Sequence, residues 1–90
     1  MSRVETRVVL RNKVGLHARP AALFVKTAMK FKSTIKVIKD GMEADAKSLL
    51  NVLSINAQQN DEIIIVAEGE DAETAIGELV KLVERNFGEE

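Results

Sequence analysis

The chain's one histidine, His17, and its one proline, Pro20, stand together in Gly15-Leu16-His17-Ala18-Arg19-Pro20-Ala21-Ala22. An imidazole has an ordinary pKa of about 6.5, so a neutral, nucleophilic ring nitrogen is available near pH 7. The Arg19 guanidinium can offer paired donors to phosphate or carboxylate oxygens. Proline is favoured in the first turn of a helix, Gly15 can take backbone angles that other residues resist, and the apolar run Ala21-Ala22-Leu23-Phe24-Val25 follows at once. The spacing therefore predicts His17 at, or just before, a helix N-terminus, with Arg19 inside the first turn. Such an end presents free N–H groups and the positive pole of the helix dipole, which suits an anion. Two readings follow: a surface or capping histidine, or one that carries a phosphoryl group whose oxygens are held by Arg19 and the helix end.

A second stretch bears on function. Ser48 is a good N-cap for the short run Leu49-Leu50-Asn51-Val52-Leu53. Four large apolar residues within five positions exceed what one face of a short helix can bury. Either some are exposed to a partner or a loop covers them.

The rest of the chain must position these two stretches. Arg3 to Leu10 alternates, with Val4, Thr6, Val8 and Leu10 on one side and Arg3, Glu5, Arg7 and Val9 on the other, as in a strand with one buried face. A polar loop, Arg11 to Gly15, leads to the histidine. The first helix is expected from Ala18 to Lys30, burying Ala21, Phe24, Ala28 and Phe31, with Val25 and Met29 widening the stripe. Thr34 to Lys39 reads as a strand with Ile35 and Val37 on one face. Asp40-Gly41 signals a tight hairpin, and Met42 to Ala46 forms its short second arm, with Glu43 and Asp45 exposed at an edge. Gln58 to Asp61 closes the Ser48 helix, with Asn60 as a left-handed cap. Glu62 to Ala67, with Ile63-Ile64-Ile65-Val66, is the central strand. Asp71 caps a long helix from Ala72 to Phe87, ended by Gly88. Gly77 inside that helix costs about 1 kcal/mol relative to alanine, which close packing would explain. The element order is βαββαβα, and one helix layer over a mostly antiparallel sheet is its natural architecture. Sequence pattern leaves the strand order open.

Composition narrows the functions. Ninety residues make one domain, residues 1–90, with a modest core. The absence of cysteine excludes disulfides and thiolate metal sites, and a lone histidine leaves little for a transition metal. No apolar run approaches the ~18 residues of a membrane span, and the start lacks the apolar core of a signal peptide. Residues 1–47 hold eleven Lys/Arg against four Asp/Glu, or +7; residues 48–90 hold two against ten, or −8. This split helps the halves attract each other or leaves a basic face near His17 for an acidic partner. The aromatics are Phe24, Phe31 and Phe87, all at positions that read as buried. No stacking platform for nucleic acid is offered.

The motif around His17 resembles the active-site signature of the HPr family, the histidine-containing phosphocarriers of the bacterial phosphoenolpyruvate:sugar phosphotransferase system. A second family signature surrounds Lys47-Ser48-Leu49-Leu50, and the resemblance covers nearly the whole chain. It implies an α/β (α+β) open-faced β-sandwich, with a four-stranded antiparallel sheet ordered 1-4-2-3 and three helices on one face. It implies that His17 takes a phosphoryl group on Nδ1 from Enzyme I, which has taken it from phosphoenolpyruvate, and passes it to sugar-specific IIA proteins or domains. Arg19 matches the family's active-site arginine. The docking surface carried over is Ala18, Arg19, Ala22, Lys26, Leu49, Leu50, Leu53 and Ser54. Ser48 matches the serine that an ATP-dependent HPr kinase/phosphorylase modifies in many members. There it weakens phosphorylation of the histidine and in some lineages recruits a catabolite-control transcription factor. A cytoplasmic monomer without metal or organic cofactor is expected, a relay rather than a turnover enzyme.

The chain departs from the family pattern at three places. Val14 stands where several members carry Asn or Ser near the imidazole, with Asn12 the nearest polar substitute. Asn51 stands where glycine is frequent, and Asn56-Ala57-Gln58-Gln59-Asn60 replaces a Gly- or Ala-rich segment. Two further readings remain at this point: a regulatory protein of the HPr type that binds targets according to its phosphorylation, and a ligand-binding ferredoxin-like domain with an inert His17.

Overall fold

The computed structural model describes residues Ser2–Gly88. Four strands, β1 (Ser2–Val9), β2 (Thr34–Lys39), β3 (Met42–Asp45) and β4 (Glu62–Gly69), alternate with α1 (Ala18–Ala28), α2 (Leu49–Ser54) and α3 (Ala72–Glu84) in the expected βαββαβα order. A 3-10 turn, Asn86–Gly88, follows α3. The strands form one antiparallel sheet in the order β1-β4-β2-β3, as the resemblance implies. The helices cover one face. Among the described residues no helix is long and apolar enough to cross a membrane.

The core follows from the strand alternation. Ile35 and Val37 of β2, Ile63, Ile65 and Ala67 of β4 and Ala44 of β3 point inward and are buried. Against them pack Ala21, Phe24, Val25 and Ala28 of α1, Val52 of α2, and Ala75, Ile76, Leu79 and Val83 of α3. On β1, Val4 and Val8 are half-buried while Arg3, Glu5 and Arg7 face solvent. Asp40 and Gly41 both have positive φ, 50° and 79°, which is the mirror-image turn that an Asp-Gly pair favours between twisted strands.

Several boundaries differ from the sequence expectation. The first helix ends at Ala28; Met29, at its C-cap, is exposed rather than part of the buried stripe, and Phe31 lies half-buried in the turn beyond it. The third helix stops at Glu84. There the chain turns left-handed at Asn86 and Phe87, φ 53° and 55°, and this swings the Phe87 ring back into the core. The second helix ends at Ser54, and the left-handed residue behind it is Asn56, φ 50°. Asn60, φ 73°, instead shapes the turn into β4, where its N–H donates to the Leu10 carbonyl at 2.7 Å.

Two expected devices work otherwise. Asp71 occupies the N-cap of α3, but its side chain makes no capping bond. Its carboxylate accepts from the N–H groups of Lys32 and Ser33, at 2.8 and 2.9 Å, and from the Ser33 hydroxyl. It thus ties the α1–β2 turn to the start of α3. Gly77 is exposed, and a Cβ placed there would meet nothing within 4 Å. Close packing is therefore not the reason for this glycine.

Candidate phosphoryl site at the start of α1

His17 is the N-cap of α1, with extended backbone (φ −81°, ψ −172°) and no capping bond from its ring. Its carbonyl accepts the N–H of Ala21 at 2.8 Å, and Pro20 has no N–H to offer. The N–H groups of Ala18 and Arg19 are left without an intrahelical partner, as at any helix start. No acidic residue occupies the first turn of α1. The positive pole is therefore uncompensated by any carboxylate of its own helix. His17, Ala18 and Arg19 are all exposed, so the ring can be approached from solvent.

The loop before His17 is held from within and from outside. The buried Asn12 donates its Nδ2 to the Gly15 carbonyl at 2.8 Å, and the Gly15 N–H donates to the Asn12 carbonyl at 3.2 Å. Asn12 thereby shapes the loop; its amide nitrogen is directed to the backbone. Gly15 has φ 59°, and a Cβ there would lie 2.5 Å from the Ala57 carbonyl oxygen and 2.6 Å from the Gln58 Cα. The glycine is required both by its conformation and by this close approach. The next residue, Leu16, is buried and donates its N–H to the same Ala57 carbonyl at 2.9 Å. Leu16 anchors the loop and His17 emerges from it.

The segment after α2 is thus a wall of the site. Lys13, Val14, Leu16 and His17 face Asn56, Ala57, Gln58 and Gln59 across an open depression of about 470 Å³. In the sequence, residues 56–60 stand out as a departure from the family pattern, but nothing there marks their approach to the His17 loop. Gly15 was the signal: a glycine two residues before a candidate nucleophile marks a backbone approach, though not its partner. Val14 is 47% exposed at the rim. It brings no polar group to the imidazole.

The remaining candidates lie on α1 and α2, which pack side by side. Ala18, Ala22 and Lys26 recur at four-residue spacing along α1 and are exposed, as is Arg19. On α2, Leu50 is 79% and Leu49 40% exposed, Ser54 is exposed, Leu53 half-buried and Val52 buried. No loop covers Leu50. Leu23 of α1, 40% exposed, was missed in the sequence, although it shares a helix side with Arg19 and Lys26 rather than with Phe24. Ser48 is the N-cap of α2, and its hydroxyl accepts the Asn51 N–H at 3.4 Å. Lys47, beside it, reaches back with Nζ to the Phe31 carbonyl at 2.7 Å and so joins the α2 start to the end of α1.

Comparison with known proteins identifies the family and matches the fold. A family model described as the PTS HPr component phosphorylation site matches residues 4–85. Phosphocarrier protein HPr of Mycoplasma pneumoniae is 41% identical over 81 residues, 89% of this chain and 92% of that protein. HPr-like protein Crh of Bacillus subtilis is 40% identical over 81 residues, 90% of this chain and 95% of that one. The crystal structure of HPr from Thermoanaerobacter tengcongensis superposes with a TM-score of 0.95 at 49% identity, covering 97% of this chain and 98% of that one. Signature, sheet order and relatives agree, and the chain belongs to the HPr family of phosphocarrier proteins of the phosphotransferase system.

Proposed function

We propose that this protein carries a phosphoryl group on Nδ1 of His17, taken from phosphorylated Enzyme I and given to IIA proteins or domains. The observation that carries the reading is an exposed imidazole at the uncompensated N-terminus of α1, in a chain of the HPr family. With the ring proton on Nε2, the Nδ1 lone pair attacks phosphorus in line. The N–P bond forms as the bond to Enzyme I breaks, whose electron pair stays with Enzyme I. The reverse sequence delivers the group to the acceptor. The fixed donors of the helix end and the Arg19 guanidinium face the incoming phosphate oxygens without a deep pocket. Exposure lets two different proteins reach the same atom. The site is a relay, and no metal or organic cofactor takes part.

Docking falls to Ala18, Arg19, Ala22, Lys26, Leu49, Leu50, Leu53 and Ser54, an apolar centre with a basic rim suited to a brief, steered encounter. The carrier acts as a monomer in the cytoplasm. Phosphorylation of Ser48 by an HPr kinase/phosphorylase adds about −1.5 to −2 charge beside Leu49 and Leu50. It weakens docking of Enzyme I, and in a suitable host it recruits a catabolite-control transcription factor. The N-cap position of Ser48 supports this, because a helix start tolerates the added charge.

The test is a two-step relay. The chain is phosphorylated with labelled phosphoenolpyruvate and Enzyme I, separated from both, and mixed with a IIA protein. Label that moves to the acceptor, and does so more slowly from an Arg19→Ala chain, supports the reading. Label that stays on the chain contradicts it.

A further inference from the structure

Lys39, at the end of β2, takes no part in the His17 motif, yet it is the strand side chain that secures the wall of the phosphoryl site. Its Nζ donates to the Asn56 carbonyl at 3.0 Å and lies 3.1 Å from Oδ2 of Asp61. The same Asp61 oxygen accepts the Gln58 N–H at 2.8 Å. One ammonium group therefore bridges both ends of the 56–61 turn, and only 17% of its side chain is exposed. This turn is the one that meets the His17 loop. Ala57, next to the strapped Asn56, accepts the Leu16 N–H, and Asn60 and Asp61 pair with Leu10 through their main chains. Gly15 lies against Ala57 and Gln58 with no room to spare. A shift of the turn is thus passed to Leu16 and so to the residue that follows it, His17.

We infer that Lys39 is a positioning residue for His17: through Asn56 and Asp61 it fixes the Ala57 carbonyl that sets the loop from which the imidazole projects. The inference rests on the phosphocarrier reading. Loss of the strap loosens the wall without touching the exposed residues of α1 and α2. The expected consequence is a slower transfer step with unchanged docking.

The experiment measures transfer from phosphorylated Enzyme I to the wild-type chain, Lys39→Met and Lys39→Arg as a function of Enzyme I concentration, with amide exchange of Leu16 followed in parallel. Lys39→Met is expected to lower the saturating rate about fivefold to tenfold while KM stays within about twofold, since small misplacements of a reacting group are costly. Leu16 exchange is expected to quicken about tenfold in the same variant. Lys39→Arg, which keeps the charge and the reach, restores both. Asp61→Asn, which weakens one anchor only, gives a smaller loss and serves where Lys39→Met does not fold. A saturating rate within twofold of wild type, or a loss that arginine leaves uncorrected, overturns the inference. Leu16 exchange needs no Enzyme I, so the strap is tested even if the wild-type chain takes up no phosphoryl group, an outcome that would instead refute the functional reading.

Discussion

Leu16 donates its main-chain N–H to the Ala57 carbonyl at 2.9 Å, and this bond joins the loop that bears His17 to the turn after α2. The candidate phosphoryl site is therefore built from two segments far apart in sequence. A substitution in either one acts on the other.

Gly15→Ala tests that joint. The new Cβ would fall 2.5 Å from the Ala57 carbonyl oxygen in a backbone conformation that alanine resists. The expected cost is about 2 kcal/mol, or a fall in Tm of roughly 10 °C for a domain of this size. Phosphoryl uptake is expected to fall further than the folded fraction does. Thermal unfolding beside an uptake assay checks this. Normal stability with normal uptake would contradict the packing.

Leu50→Ser probes docking. Leu50 is 79% exposed, so stability should change by no more than about 0.5 kcal/mol. If Enzyme I buries this side chain, KM for Enzyme I rises roughly tenfold, the equivalent of about 1.4 kcal/mol, with little change in the saturating rate. An unchanged KM would remove Leu50 from the docking surface.

Gly77→Ala bears on stability alone. The position is exposed, lies within α3 and has open space for a methyl group. The variant is expected to gain about 0.5 to 1 kcal/mol, read as a higher urea midpoint, with phosphoryl transfer unaltered. A loss of stability would contradict the open space and helical backbone assigned to this position.

Asp71 predicts a pH dependence. Hydrogen bonds from the Ser33 hydroxyl, the Lys32 N–H and the Ser33 N–H hold its carboxyl below the usual value of 3.8. A carboxylate whose pKa is depressed by folding stabilises the folded state fully above its unfolded pKa. That contribution is lost as pH falls through the folded pKa. The stability difference between wild type and Asp71→Asn should therefore be constant near neutrality and shrink below about pH 4. Asp61, also depressed, by the Gln58 N–H and Lys39, titrates alike in both proteins and drops out of the difference. A difference that persists unchanged into acid would contradict the assignment.

Much of this was legible in the sequence because the signals were local. The Asp40-Gly41 hairpin, the Ser48 cap and the alternation in β1 each rest on a few neighbouring residues. The His17 motif carried its own helix start in Pro20 and its own loop requirement in Gly15. What escaped depends on residues distant in sequence. Nothing near Asp71 shows that its carboxylate would turn from its own helix to Lys32 and Ser33. Nothing near Phe87 shows that a left-handed turn would end α3 three residues early and fold the ring inward. In the sequence Asn60 reads as the end of α2, because asparagine adopts positive φ at many turns. The same property is used here at Asn56, Asn60 and Asn86. The wall of the site, Asn56 to Gln59, has no motif of its own.

The central claim is that His17 accepts the phosphoryl group, and intact mass tests it most directly. The chain and a His17→Ala control are each incubated with phosphoenolpyruvate, magnesium and a bacterial Enzyme I. The account predicts one added phosphoryl group on the wild-type chain, lost in mild acid as a phosphohistidine is, and none on the control. No addition to a folded wild-type chain with active Enzyme I, or an equal addition to the control, would contradict it.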